Sequence, residues 1–158
     1  MTITNEFLEE LLAQEERLQF PRFDNETAIA LGFSLIELGR QRGLSITVDI
    51  VRAGQQLFHA ALPGTAADND QWIIRKNNVV MRCGHSSFYM GRRAAFRGVS
   101  FHESMLLDPL AYAPHGGAFP IRVIGTGLVG TVTVSGLPQE EDHKLVVEAL
   151  TAFLASFK

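Results

Sequence analysis

Polar and cationic residues collect at the breaks between the elements predicted for this chain. Arg75 and Lys76 come first, then His85, Ser86 and Ser87 at the start of a predicted helix, then Tyr112, His115, Gly116 and Gly117 just before a predicted hairpin. A helix N-terminus with cations beside it suits a carboxylate or phosphate, because unpaired backbone N–H groups and the helix dipole both favour negative charge. Paired glycines let a ligand approach the backbone closely. These residues are therefore the candidate ligand-binding set. The competing reading is local: His85 and the serines cap a helix, Arg75 and Lys76 are surface charge, and Gly116-Gly117 is a turn.

Other chemistries fit the sequence less well. The five histidines are scattered over different elements, and Cys83 and His85 have helical faces that diverge, so no metal site is expected. No GxSxG elbow surrounds a serine, and Ser135 in its Val-Ser-Gly strand end is expected to bond nearby backbone. Asp142-His143 reads as a helix-start acid beside an exposed imidazole. Gly125, Gly127 and Gly130 match GxGxxG, but Thr131, Val132, Thr133 and Val134 follow, which are β-branched and favour a strand where a nucleotide site needs a helix.

The elements that must position these residues follow from periodicity. Residues 116–138 read as two strands around a Gly125-Thr126-Gly127 turn, with side chains alternating at a period of two. A first helix is expected over 5–19, ended by Pro21. A second starts at Asp24 or Asn25 and stops at Gly43. Strands over 45–51 and 56–62 flank an Ala53-Gly54 turn. Thr65 and Asp68 resemble a capping box for a helix to about Arg82, broken by Gly84, and Ser86 or Ser87 caps the next helix, which ends at Gly98. Periodicity fades over 99–117 apart from a short strand at 110–114, and Pro138 and Gln139 open a last helix. Hairpins with helices between them predict an α+β domain with an antiparallel sheet and helices on its faces.

Whole-chain properties narrow the class. At 158 residues and 46% hydrophobic composition, one domain over 1–158 with a substantial core is expected. A net charge of -3 gives no overall pull toward nucleic acid or membrane, and the lone Cys83 leaves no intrachain disulfide. The acidic start MTITNEFLEELLAQEE lacks the basic and apolar regions of a signal peptide, so a cytoplasmic location is expected. Charge is distributed unevenly. Gln71 to His102 contains no acid but holds Arg75, Lys76, Arg82, Arg92, Arg93 and Arg97, whereas Glu6, Glu9, Glu10, Glu15, Glu16, Asp24 and Glu26 crowd the N-terminus. These are either solvated helix faces, or an anion site, or an acidic helix docking on a basic segment within or between subunits.

The motifs DNDQWIIRKNNVVMRCGHSS at 68–87, YAPHGGAFPIRV at 112–123 and GLVGTVTVSGLPQEEDHKLVVEAL at 127–150 resemble the DUF336 or GlcG/HbpS-like proteins, the haem-degrading domain family, and within it the UPF0303 branch. Trp72, Arg75, Lys76, His85, Ser86, Ser87, Gly116, Gly117, Asp142 and His143 match the branch motifs. The resemblance implies a profilin-like domain, a five-stranded antiparallel sheet and assembly into oligomers; some relatives bind haem. The leading expectation is an oligomeric small-ligand-binding module whose ligand is haem or another anionic organic molecule. The alternatives are a structural protein whose oligomer is the functional unit, and an enzyme acting on haem or a small carbonyl acid.

Overall fold

A computed structural model describes residues 2–157. The element order is α1 (Asn5–Arg17), α2 (Asn25–Gln41), β1 (Thr47–Arg52), β2 (Gln55–Ala61), α3 (Ala67–Cys83), α4 (Ser87–Arg97), α5 (Phe101–Met105), β3 (Ala118–Val123), β4 (Gly127–Ser135) and α6 (Gln139–Ala155). The strands form one antiparallel sheet in the order β2-β1-β4-β3. An α+β architecture is thus present, but with four strands among the described residues where the resemblance implied five.

Two local causes account for the missing strand. At 110–114 the chain turns: Asp108 Oδ1 accepts from the Leu110 N–H at 2.8 Å, and its carbonyl accepts from Ala111 and Tyr112, each at 3.0 Å. The free edge of β3 is met instead by Phe20, which forms a single parallel bridge to Val123. Pro21 follows and has no N–H with which to extend the ladder.

Strand alternation decides what each face of the sheet packs against. Val48, Ile50, Phe119, Ile121, Val132 and Val134 point into one core with Ala28, Leu31 and Leu35 of α2 and Leu145, Val146 and Leu150 of α6. The other face, under α3, is buried yet polar: Asp49, Thr131, Thr133 and Ser135 are each at most 3% exposed. Hydrogen bonds make that tolerable. Asp49 accepts from Gln56, His59 and Asn77 at 2.7, 2.9 and 3.1 Å, and Thr133 donates to Asn77 Oδ1. A second core joins Leu8 and Leu11 of α1 to Val79 of α3 and Phe88, Tyr89 and Met90 of α4.

Caps and turns follow local chemistry. Asp24 Oδ1 accepts from the Thr27 N–H at 2.8 Å, so Asp24 is the α2 cap, and Ser86 caps α4 through the Tyr89 N–H at 3.1 Å. The α3 start differs from the expected Thr65–Asp68 box: Asn69 Oδ1 accepts from the Ala66 N–H at 2.9 Å, while Thr65 turns back to Leu62 O at 2.7 Å. α5 was unforeseen, since five residues are too few to show periodicity. Gly130 belongs to β4 and not to a nucleotide loop; a Cβ there would sit 2.0 Å from Val51 O.

The acidic helix α1 docks within its own chain. Glu15, 3% exposed, accepts from His85 Nδ1 at 2.9 Å, the Ser86 N–H at 3.1 Å and Arg122 at 3.3 Å. Beside it Gln14 Oε1 accepts from His143 Nε2 at 2.8 Å. His143 is 2% exposed and stacks on Phe88 with centroids 4.8 Å apart, which corrects the expectation of an exposed imidazole.

Two consequences can be measured. Glu15→Ala strands a buried amide, the Arg122 guanidinium and the His85 ring; because Arg122 and His85 keep some solvent contact, the expected loss is at the lower end for a broken buried pair, about 3 kcal/mol by urea unfolding. A loss below about 1 kcal/mol would make Glu15 an ordinary surface acid. Burial lowers His143 from 6.5 to about 4, so the unfolded chain takes up a proton the folded one refuses, and the stability this histidine contributes above pH 6.5 is lost as pH falls toward 4. The stability gap between the parent and His143→Asn should therefore shift against the parent by roughly 3 kcal/mol from pH 7 to pH 4. A gap independent of pH would contradict it.

Candidate functional site

Lys76 lies mid-way along α3 on the side that faces β4, and its Nζ donates to Asp142 Oδ2 at 3.2 Å and to Val134 O at 3.3 Å. Lys76 is 3% exposed and Asp142 1%. Asp142 sits in the first turn of α6, where its Oδ1 also accepts from the Leu137 N–H at 2.9 Å. The glycine pair makes the approach feasible. A Cβ on Gly117, whose φ is +137°, would fall 2.8 Å from Lys76 Nζ and 2.3 Å from Val134 O, and one on Gly116 would fall 2.1 Å from Gln139 O.

This pair forms one wall of a cavity of about 260 Å³ also lined by Asn69, Trp72, His115, Ser135 and Gln139. Trp72 and His115 meet edge to face with centroids 5.3 Å apart, and the Arg75 guanidinium lies 4.2 Å from the Trp72 ring centroid. Ser135 Oγ accepts from Asn69 Nδ2 at 3.2 Å rather than bonding nearby backbone. His115 Nδ1 is buried without a hydrogen-bond partner among the described residues.

Burial works against both charges of the pair. It pushes the Lys76 ammonium below its ordinary range against the opposing pull of Asp142, and it raises the Asp142 carboxyl to about 6 although Lys76 and the Leu137 amide oppose the rise. Burial also lowers His115, helped by Lys76, Arg92 and Arg75, so near neutrality this imidazole is uncharged and can both donate and accept. The cavity therefore offers a desolvated amine, a carboxyl that exchanges protons near neutral pH, a neutral imidazole and flanking cations.

The sequence-predicted residues divide between this cavity and the α4 start. Arg75, Lys76, His115, Gly116 and Gly117 gather at or beside the cavity. His85 and Ser86 lie at the α4 N-terminus, where the carboxylate they receive is the chain's own Glu15. Ser87 fastens β3, its hydroxyl accepting from the Ala118 N–H at 3.1 Å, and Tyr112 packs on the second core while its carbonyl accepts from His102 at 2.7 Å. Asp142, Trp72, Asn69, Ser135 and Gln139 were outside the predicted set. Trp72 and Asp142 stood in the branch motifs and could have been found there; Asn69 and Ser135 carry no spacing signal, since they meet across 66 residues of chain. His59 Nδ1 and Nε2 contact Asp49 and Asp70, at 2.9 and 3.1 Å, and among the described residues no group of three or more metal-ligating side chains converges.

The family profile described as "Haem degrading protein HbpS-like" matches residues 23–151. A UPF0303 protein of Streptomyces coelicolor is 60% identical over 145 residues, which is 92% of each chain. Among solved structures, the Ybr137w protein superposes with a TM-score of 0.88 at 36% identity, covering 94% of this chain and 87% of that one. The protein of the "PduOC:Heme Complex" shares the fold at a TM-score of 0.62 and 19% identity, over 77% of this chain and 88% of that one. On the span of the profile and the closeness of these relatives, the chain belongs to the HbpS-like family and, within it, to the UPF0303 proteins.

Proposed function

We propose that the protein is a small-ligand-binding module whose ligand is a small anionic organic molecule held between Trp72, Lys76, His115 and Asp142. The observation that carries this reading is the placement of a buried lysine and an unpartnered imidazole nitrogen on one cavity wall, with Arg75 and Arg92 near enough to bias the imidazole. A buried ion pair adds little net stability, and an unpartnered polar atom costs some, so both are better accounted for by a ligand that uses them. We place the module in the cytoplasm and in an oligomer. The support for assembly is the pair of apolar side chains Ile74 and Met81 on α3, each about half exposed and lining one surface hollow. No helix among the described residues is long and apolar enough to cross a membrane.

Haem does not fit this cavity. A volume of about 260 Å³ is below the usual range for even drug-sized ligands, and the lining is as polar as it is apolar. One observation elsewhere favours a haem reading: Glu15 holds His85 Nδ1, as a carboxylate behind a metal-ligating histidine does to fix its ring, and the ring is about one-third exposed. Haemin titration separates the two. A saturable Soret band lost in His85→Ala supports surface ligation there, and a band indifferent to that change removes it.

Trp72, the sole tryptophan, reports on the cavity directly. Titration with acetate, succinate, pyruvate and inorganic phosphate should give saturable fluorescence change with at least one of them. The double variant Arg75→Gln, Lys76→Met should weaken it at least about tenfold, since each charge-assisted hydrogen bond contributes roughly 1.5 to 3 kcal/mol. A parent chain that responds to none, or a variant that binds as the parent does, would overturn the assignment.

A further inference from the structure

We propose that Lys76 is a carbonyl-reactive amine that forms an imine with a small 2-oxo acid or aldehyde acid entering the Trp72–His115 cavity, with Asp142 as its proton carrier. The proposal rests on the anion-binding reading above and names the chemical class of its ligand.

The geometry meets the requirements of imine formation in turn. The amine must be an uncharged nucleophile for part of the time, and Lys76 is nearly excluded from water with Arg75 on the adjacent residue, the setting that activates lysine nucleophiles. The amine must face space that a carbonyl carbon can occupy, and Lys76 lines the cavity, while its two recorded hydrogen bonds, to Asp142 and Val134 O, leave the third valence of the nitrogen uncommitted. An acid must lie beside the nitrogen, and Asp142 Oδ2 is 3.2 Å away, with its proton affinity raised into the working range by burial. The carboxylate of the incoming acid needs donors, which Gln139 and a neutral His115 supply on the wall, with the Arg75 guanidinium beside them over Trp72.

The step balances without an outside reagent. The nitrogen lone pair forms the N–C bond as the C=O π electrons move to oxygen, which takes a proton from the Asp142 carboxyl to give a carbinolamine. The proton on nitrogen returns to Asp142, the hydroxyl is protonated, and the C–O bond breaks with release of one water, leaving Lys76 as an iminium. A structural salt bridge alone would need no cavity at the amine, and its apolar replacement would be as stable.

The test uses the parent chain, so it does not depend on a variant folding. Incubation with pyruvate and cyanoborohydride near neutral pH, followed by peptide mapping, should place a reduced adduct on Lys76 at least about tenfold faster than on the exposed Lys144, because only the former amine is desolvated. Asp142→Asn should slow the Lys76 adduct while leaving Lys144 labelling unchanged. Labelling of Lys76 no faster than Lys144, or none, overturns the proposal. If Trp72 fluorescence still saturates with any of acetate, succinate, pyruvate and inorganic phosphate in that case, the anion-binding reading stands alone; if it responds to none of the four, both readings fall.

Discussion

The Lys76–Asp142 pair is the constraint on which the rest of the structure turns. Lys76 comes from the layer on the polar face of the sheet, and Asp142 opens α6, which covers the apolar face; the two meet where β4 ends. Charges this far from water must hold each other and the neighbouring backbone closely, since either one left alone would cost several kcal/mol. The pair therefore fixes the β4–α6 connection through the Leu137 amide and requires a glycine at 117, where any side chain would strike both Val134 O and the ammonium. Layer spacing, turn and cavity wall share one electrostatic cause.

Glu15 has the same relation to the other half of the molecule. α1 adds no strand and little sheet contact; besides Leu8 and Leu11 in the second core and Gln14 on His143, what seats it is one buried carboxylate gathering the α4 amide at Ser86, His85 and Arg122, the last of which also donates to Gly84 O. The helix N-terminus thus has its anion supplied by the chain itself, which stabilises the α4 start by the dipole and by charge-assisted hydrogen bonds together. Of the acids of α1 it is Glu15 that reaches the acid-free middle, and the others remain near solvent: Glu10 pairs with Arg17 where both are about half exposed.

What could be read from the sequence was what is local. Caps at Asp24 and Ser86, the left-handed glycines at 84 and 98, the Ala53-Gly54 turn and the strand alternation around Gly125 all depend on neighbours within a few positions, and each formed where expected. What could not be read depends on distance along the chain. His85 and Ser86 look the same in sequence whether they await a ligand or receive Glu15 from 70 residues away. Asp142 and His143 look like a solvated helix start until the fold places them at 1% and 2% exposure against α3 and α1. The strand at 110–114 failed because Asp108 captures three successive amides, a competition that alternation cannot reveal.

The sign of the field in the cavity follows from the same placement. Among the described residues Asp142 is the only acid lining it, and its oxygens are already engaged by Lys76 and the Leu137 amide. Its charge is offset within hydrogen-bond distance, whereas the charges that lower His115 after burial are led by the cations Lys76, Arg92 and Arg75. The Arg75 guanidinium lies over the Trp72 ring, a contact that does not neutralise it. An entering cation would meet this excess with the Asp142 carboxylate already engaged, while an entering carboxylate meets donors that are already desolvated and fixed, so little ordering remains to oppose binding.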